Sequence, residues 1–436
     1  MLSREMKDSG VEWIGEIPTE WSVSRLKNNL WERKEMNNPI KTNNILSLTK
    51  NRGVILYSEK GEVGNKSKDD LSAYKLVYPG DIVLNSMNVI IGSVNLSSYY
   101  GIVSPVYYML NTRRVRDDIR YYNYIFQTTI FQKMLTGYGN GILAHRMRIP
   151  MIKLNTVMLP NPSEESQKKI ADILDGKITS IDKIISETQQ SIIELKKYKQ
   201  SLITEAVTKG LDKNAEMKDS GVHFLGEIPK RWNLTKIKYS YEMVKGLSIT
   251  KENLESAGIP VISYGEIHSK YGFKFDPKKN PVKNVNPKYL ETNENALIKK
   301  GDYIYADTSE DIEGSGNFTC YVGEEECFAG YHTIILKPKK KENYSFYAYL
   351  YDSLSFRYQI QNKVKGIKVY SITQKILKEL YRWAPPENEQ QQIVDFLDEK
   401  TSKIDSLIKD KEQIIKEYEE YKKSLIYEYV TGKKQV

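Results

Sequence analysis

The sequence predicts an α+β protein in which two similar globular domains are separated by two long helices that form an antiparallel coiled coil. Three observations predict this arrangement. A 17-residue segment occurs twice, a 47-residue helical segment occurs twice, and the sequence between these anchors is β-rich but differs between the copies. A chain of 436 residues has room for two or three domains, and a duplication of this kind gives a pseudo-twofold internal repeat.

The first repeat opens each half of the chain. "EMKDSGVEWIGEIPTEW" at residues 5–21 and "EMKDSGVHFLGEIPKRW" at residues 216–232 are identical at 12 of 17 positions. Both segments end in tryptophan, Trp21 and Trp232, and a large apolar ring at the end of a shared segment is typical of a core anchor. Each half is therefore one unit with a shared opening, a variable middle and a shared closing segment.

The closing segments, residues 162–208 and 385–431, are identical at 22 of 47 positions. Apolar residues recur in both at the alternating three- and four-residue spacing of a coiled-coil seam. The predicted seam consists of Leu174, Ile178, Ile181, Ile185, Ile192, Leu195 and Leu202 in the first segment and Leu397, Ile404, Ile408, Ile415, Tyr418 and Leu425 in the second.

Polar residues interrupt both seams at equivalent places. Thr188 matches Lys411, and Lys199 matches Lys422. Polar seam residues cost stability and help to fix the register and the partner. A helix of about 45 residues is about 65 Å long and cannot cover its own seam, so two copies in one chain are expected to cover each other in antiparallel orientation.

The middles combine short strands with later helices. "GDIVLNS" and "GDYIYADTS" follow turns and carry the β-branched and aromatic residues of strands. "RYYNYIFQTTIFQKML" and "NYSFYAYLYDSLSFRYQI" have helical character. The predicted domains are residues 1–160, a helix over 161–210, a second domain over 211–384 and a C-terminal helix over 385–436.

Composition excludes several classes of protein. The two cysteines form no disulfide framework, four histidines show no zinc spacing, and no run of eighteen apolar residues is present. We therefore expect a cytoplasmic protein that does not span a membrane and binds no metal. The net charge of +9 is compatible with a polyanionic partner, without requiring one.

No catalytic motif is evident, so the chain is expected to be non-catalytic by itself. A group of acids, Asp307, Glu310, Asp311 and Glu313, is present in one half and has no counterpart in the other. A surface loop is the favoured interpretation. A metal site and acceptors for cytosine N4 in a DNA groove remain open.

The repeated opening and closing segments form a duplicated frame around the two divergent middles. This duplicated frame resembles the specificity (S) subunit of type I DNA restriction–modification systems. The resemblance covers essentially the whole chain. It rests on the two openings, on "GDIV" and "GDYI" in the middles, and on the entry to each long helix. That entry runs Gln167, Ile170, Leu174, Asp175, Ile181 and Asp182 in the first copy and Gln390, Ile393, Leu397, Asp398, Ile404 and Asp405 in the second.

The resemblance implies two target recognition domains, each reading one half of a split double-stranded DNA site. The helix pair would set the spacer between the halves. Two methyltransferase (M) subunits carrying S-adenosylmethionine would dock on the chain and methylate adenine N6. Restriction (R) subunits using ATP and Mg²⁺ would join for host defence. This chain itself would bind no cofactor. A coiled-coil scaffold with two protein-binding heads is the alternative.

Candidate DNA contacts lie in polar loops just before the strand that leads to each long helix. These loops offer side chains that can stack on bases, read base edges or hold phosphates. A second pair of candidates lies in "NSMN" and its counterpart "DTSED". The predicted contacts are Tyr138, Asn140, His145, Arg146, Arg148, Asn85 and Asn88 in the first half and Lys363, Lys365, Lys368 and Tyr370 in the second.

Overall fold

The computed structural model describes residues 5–50, 52–61, 70–139, 148–280, 282–366 and 369–436. The chain divides into two compact units. The first unit comprises Met1–Gln189 and Glu412–Val436, and the second comprises Gln190–Lys411. The fold mixes helices and sheets, as predicted. Among the described residues, no helix is long and apolar enough to cross a membrane.

The first unit contains twelve described strands and four short helices. Its strands are β1 (Met6–Asp8), β2 (Glu16–Pro18), β3 (Ser22–Arg25), β4 (Leu30–Arg33), β5 (Leu46–Thr49), β6 (Gly53–Leu56), β7 (Lys75–Val77), β8 (Ile82–Asn85), β9 (Val94–Leu96), β10 (Gly101–Val103), β11 (Tyr107–Thr112) and β12 (Met158–Asn161). Its short helices are α1 (Leu26–Asn29), α2 (Ile119–Gln127), α3 (Thr129–Leu135) and α4 (Met151–Leu154).

An antiparallel four-stranded sheet, in the order β4-β11-β8-β9, forms the centre of the first unit. Four two-stranded pairs surround it: β1-β2, β3-β12, β5-β6 and β7-β10. The predicted helical stretch after β11 is broken at Thr128, whose hydroxyl donates to the Ile125 carbonyl at 2.9 Å. α2 and α3 pack on the core together with the buried opening residues Trp13 and Trp21.

The second unit contains fifteen described strands and six short helices. Its strands are β13 (Met217–Asp219), β14 (Glu227–Pro229), β15 (Asn233–Lys236), β16 (Tyr241–Lys245), β17 (Ile259–Ile262), β18 (Lys274–Phe275), β19 (Lys283–Val285), β20 (Leu297–Ile298), β21 (Tyr303–Ala306), β22 (Thr308–Ser309), β23 (Phe318–Tyr321), β24 (Cys327–Ala329), β25 (Thr333–Pro338), β26 (Tyr370–Ser371) and β27 (Tyr381–Ala384). Its short helices are α6 (Ile237–Ser240), α7 (Tyr264–Ser269), α8 (Tyr289–Thr292), α9 (Tyr344–Asp352), α10 (Leu354–Gln361) and α11 (Gln374–Lys378).

The second unit repeats the frame of the first and adds to it. A five-stranded sheet runs β16-β25-β21-β23-β18, and a four-stranded sheet runs β19-β17-β24-β20. The strand order β16-β25-β21 repeats β4-β11-β8, and β15-β27 repeats β3-β12. The hairpins β1-β2 and β13-β14 share one register, in which Met6 faces Pro18 and Met217 faces Pro229. Sequence similarity is nearly absent from the middles, yet their central strands pair in the same order.

Two long helices close the units: α5 (Glu164–Lys209, 46 residues) and α12 (Glu387–Val430, 44 residues). Every predicted seam residue is buried or half-buried. In the first unit, Lys422 on α12 bonds both carboxylate oxygens of Asp182 on α5, at 2.6 and 2.8 Å. In the second, Lys199 on α5 bonds both oxygens of Asp405 on α12 at 2.7 Å. Both polar seam lysines therefore have an acidic partner on the other helix.

Each opening segment is held by a helix end in its own unit. In the first unit the Tyr427 hydroxyl donates to the Ile14 carbonyl at 3.1 Å, and Lys433 donates to the Glu16 carbonyl at 3.1 Å. In the second, Lys209 donates to the Glu227 carbonyl at 2.6 Å. Because the contacts to Glu16 and Glu227 use backbone oxygens of the repeated sequence, the openings serve as a common frame for both units.

Candidate DNA-reading surfaces

Three separate stretches of the first unit meet at the end of the central sheet. We call them the first junction: residues 85–88, 104–106 and 148–149. The Ile149 amide donates to the Ser86 carbonyl at 2.9 Å. The Ser86 hydroxyl donates to the Val106 carbonyl at 2.7 Å. The stretch "NSMN" and residues 148–149, which were parts of separate candidates in the sequence, therefore meet at one place.

The second unit builds an equivalent surface, the second junction: residues 307–311, 330–332 and 369–372. The Ile372 amide donates to the Asp307 carbonyl at 2.7 Å, and the Asp307 amide donates to the His332 carbonyl at 3.0 Å. A two-residue ladder between β22 and β26 pairs Thr308 with Ser371 and Ser309 with Tyr370. Here too the two candidate stretches are joined by backbone hydrogen bonds.

The junctions share a frame and differ in chemistry. Ile149 and Ile372 occupy equivalent places, and both are buried. Ser86 and Asp307 accept the same backbone hydrogen bond, and Val106 matches His332 in the turn before the last sheet strand. The first junction therefore has buried Ser86 and half-buried Val106 where the second has half-buried Asp307 and exposed His332. Equivalent positions with different hydrogen-bonding groups can read different ligands.

The predicted residues of the first half are placed as follows. Arg148 is exposed beside Ile149, and Asn88 is half-buried in its turn. Asn85 is buried, and its side-chain oxygen accepts the Met87 amide at 3.0 Å, so it shapes the turn. Tyr138 packs against the core of the first unit. Asn140, His145 and Arg146 lie outside the described residues.

In the second half, Lys363 and Lys365 are exposed around buried Val364, which anchors their loop. Tyr370 is half-buried in the β22-β26 ladder. Lys368 lies outside the described residues. The two exposed ammonium groups suit phosphates, whereas the tyrosine ring suits stacking.

A series of hydrogen bonds links Arg357, Asn317 and His268 to the second junction. Arg357 donates to the Asn317 side-chain oxygen at 2.6 Å. The Asn317 amide nitrogen lies 2.9 Å from His268 Nδ1, and His268 Nε2 lies 2.7 Å from the Thr308 carbonyl. A carbonyl partner requires His268 Nε2 to carry the proton, which leaves Nδ1 to accept from Asn317. The network fixes the strand β22 and with it the residues that follow.

The acidic group of the second unit is largely used within its own loop. The Asp311 carboxylate accepts the Gly314 amide at 2.6 Å, and the Asp307 carboxylate accepts the Thr308 hydroxyl at 2.7 Å. Across the described ranges, no three histidine, cysteine or acidic side chains come together as a metal-binding group. Burial raises the pKa of the neighbouring Tyr331, so its hydroxyl stays neutral at physiological pH.

Comparison with known proteins finds one matching family model and several similar chains. Residues 229–417 match the family model described as "Type I restriction modification DNA specificity domain". This part of the chain is therefore similar to a type I specificity domain. A putative type I restriction enzyme MjaX specificity subunit from Methanocaldococcus jannaschii is 26% identical over 451 residues, covering 97% of this chain and 96% of the relative. The MjaVIII specificity subunit from the same organism is 24% identical over 340 residues, covering 77% and 75%.

Two solved structures share the fold of this chain. The HsdS subunit from Thermoanaerobacter tengcongensis aligns over 95% of this chain and 98% of its own, with a TM-score of 0.50 and 13% identity. A chain from a structural study of complex assembly and conformational transition of the type I R-M system aligns over the same shares, with a TM-score of 0.69 and 14% identity. At these identities the likeness concerns the fold.

Sequence reasoning missed part of the second junction. His332 and the turn of residues 330–332 were not among the candidates, nor was the supporting His268. The signal was present in part. "AGYHT" lies between two strand-like segments, and two of the chain's four histidines, His268 and His332, lie in the middle of the second half. Their proximity to Asp307 depends on sheet pairing over long sequence separations, which no local pattern reports.

Proposed function

We propose that this chain is the sequence-reading subunit of a type I restriction–modification complex, with each unit reading one half of a split site in double-stranded DNA. The observation that carries the proposal is the pair of junctions. An equivalent backbone hydrogen bond, from Ile149 to Ser86 and from Ile372 to Asp307, holds both, but their side chains differ. A repeated frame with two different reading surfaces suits a target whose halves differ in sequence.

The two long helices are proposed to form an antiparallel coiled coil that sets the gap between the half-sites. In the first unit, Asp182 in the first half of α5 bonds Lys422 in the last quarter of α12. In the second, Lys199 in the last quarter of α5 bonds Asp405 in the first half of α12. These two pairs support opposite helix directions. Half-site spacing then follows the distance between the reading surfaces, as in other paired DNA readers.

The constant frame is proposed to dock two methyltransferase subunits. The hairpins β1-β2 and β13-β14 have the same sequence over most of their length and the same register. Identical partners need equivalent faces, and these hairpins provide them. The partners would carry S-adenosylmethionine for adenine N6 methylation, while restriction subunits would bring ATP and Mg²⁺. This chain would supply recognition and geometry, with no catalytic group of its own.

The direct test is to co-express the chain with the methyltransferase subunit of its own system and map methylated adenines across the host genome. We expect one motif made of two short specific halves separated by a fixed unspecified gap. Omitting this chain is the control and should abolish methylation. A continuous motif, or methylation that does not depend on this chain, would refute the proposal.

A second measurement separates DNA reading from the alternative scaffold with protein-binding heads. The chain and its methyltransferase are titrated with duplex DNA at increasing salt. Contacts with phosphates release counterions, so the binding constant should fall steeply and linearly on a logarithmic plot against salt. Negligible duplex binding in the presence of the methyltransferase would favour the scaffold.

Lengthening both helices tests the spacer role. A seven-residue insertion after Thr188, matched by one after Lys411, keeps the heptad register and adds about 10 Å to each helix. Since duplex DNA rises about 3.4 Å per base pair, the gap should grow by about three base pairs while both halves stay unchanged. An unchanged gap in a folded, active complex would rule out the helices as the spacer.

A further inference from the structure

The turn of residues 330–332 contains an unusual backbone conformation. His332 has φ of +56°, and among the described residues no other non-glycine residue has a positive φ. Side chains with a Cβ rarely adopt this left-handed region, where glycine or asparagine is the ordinary choice. Such strain persists where the surrounding structure over-determines it, and it is concentrated at functional sites. The backbone of this turn would be served better by glycine, so the imidazole itself needs an explanation.

Contacts in the second junction hold the imidazole in place. Nδ1 of His332 lies 3.2 Å from Oδ1 of Asp307, and the Asp307 amide donates to the His332 carbonyl. The ring also packs edge-to-face on Tyr264, with centroids 5.3 Å apart. The Asp307 carboxylate is held in turn by the Thr308 hydroxyl. The ring is therefore oriented on two sides before any ligand arrives.

The rest of the imidazole faces outward. The His332 side chain is 57% exposed, and its Nε2 has no hydrogen-bond partner in the described part of the chain. Because Nδ1–H points at a carboxylate, the neutral ring presents Nε2 as an acceptor. Exposed acidic side chains at Glu310 and Glu313, in the loop between β22 and β23, are further acceptors in the second unit. In the major groove, acceptors match the amino groups of adenine N6 and cytosine N4.

We propose that His332 determines specificity at one base pair of the half-site read by the second unit, by accepting a hydrogen bond from an adenine or cytosine amino group. Asp307 acts as its positioning residue. The proposal rests on the proposed function and deepens it. The equivalent Val106 of the first junction has no such group, so the same position there cannot read a base edge by hydrogen bonding.

The test uses the complex of the full chain with its methyltransferase and a library of duplexes that vary each base of both halves. His332→Gly removes the imidazole and suits the left-handed backbone, so the variant should melt at the wild-type temperature or above. Methylation should lose about tenfold selectivity at one position of one half and keep wild-type selectivity elsewhere. His332→Asn, which tolerates the same backbone and keeps a hydrogen-bonding group, should lose less.

Two further variants sharpen the result. Asp307→Asn should weaken selectivity at the same base position as His332→Gly, since it acts through the orientation of the ring. Val106→Gly is the matched change in the first junction and should leave that position unaffected. Wild-type selectivity at every position in His332→Gly would overturn the proposal, and so would a uniform loss of methylation with base preference unchanged. If the wild-type complex itself shows no two-part motif, the proposed function fails instead.

Discussion

The two units of this chain agree in their frames and differ in their reading surfaces. Tyr124 donates to Asp175 in the first unit, and Tyr349 donates to Asp398 at 2.5 Å in the second. The same correspondence holds for the seam ion pairs. At the two junctions, by contrast, the repeated contact is a backbone hydrogen bond, from Ile149 to Ser86 and from Ile372 to Asp307. The comparison teaches that the middles keep the pairing order of their central strands while the side chains at their junctions differ.

One difference lies inside the frame itself. The Gly-Asp pair that starts β8 and β21 is repeated, and both aspartates accept the backbone amide three residues earlier, but Asp81 has an additional cationic partner. Asp81 is fully buried and pairs with Arg33, with Nε 3.1 Å from Oδ2. Asp302 is also buried and accepts the Lys299 amide at 2.8 Å. Burial raises the pKa of Asp302 to about 6. A cation therefore adds to the backbone N–H at Asp81, whereas the backbone N–H is the chief compensation at Asp302.

The variants with the largest expected effect test whether the two opening segments stabilise their units equally. Trp21→Ala and Trp232→Ala each remove a fully buried ring at the end of an opening segment. Each should lower the free energy of unfolding by about 3–5 kcal/mol, because the site cannot collapse around the lost volume. Urea unfolding monitored by amide hydrogen exchange reports each unit separately.

A matched control for these changes is Val115→Ala at an exposed position, which should change stability by less than about 0.5 kcal/mol. Equal losses, each confined to the unit that carries the substitution, support equivalent frames. A loss in only one of the two variants would break the comparison.

The second prediction contrasts the two buried aspartates. Asp81→Asn leaves Arg33 without its carboxylate and should destabilise the first unit by about 3 kcal/mol at neutral pH. Asp302→Asn resembles the protonated form that burial favours, so it should stabilise the second unit at pH 7 by about 1–3 kcal/mol. Hydrogen exchange of each unit measures both changes. If both variants changed the free energy of unfolding in the same direction, the proposed difference between the two aspartates would be wrong.

The pH dependence of the second unit follows from the raised pKa of Asp302. Its folded value of about 6 exceeds the unfolded value of about 3.9. The stability that protonated Asp302 contributes to the folded second unit is therefore fully present below pH 4 and is lost as pH rises through 6. Protection of the second unit should fall between pH 4 and 7, and Asp302→Asn should flatten that fall. A slope that Asp302→Asn leaves unchanged would show that other groups cause it.

The smallest expected effect concerns the seam lysines. Their ion pairs with Asp405 and Asp182 are partly exposed, so a double-mutant cycle of Lys199→Ala and Asp405→Ala should give a coupling of about 0.5 kcal/mol. The cycle at Lys422 and Asp182 should give the same value within error. A coupling near zero at one site and not at the other would show that the two halves of the helix pair are not equivalent.

The helices could be predicted because their pattern is local: the spacing from Leu174 to Leu202 determines which face is buried. The strands of the middles were also predicted in part, since "GDIVLNS" and "GDYIYADTS" carry turn and strand signals. The junctions could not be assembled in this way. They depend on contacts such as Ile372 with Asp307, which lie far apart in sequence, and on the positive φ of His332.

The most direct test of the account exchanges one middle. Residues 26–157 lie between β3 and β12, which pair with each other as part of the frame. They are replaced by the corresponding segment of a family member with a known different target, and the methylation motif of the resulting complex is mapped. The account predicts that one half of the motif changes to that of the donor, while the other half and the gap stay as they were. A change in both halves together would contradict it.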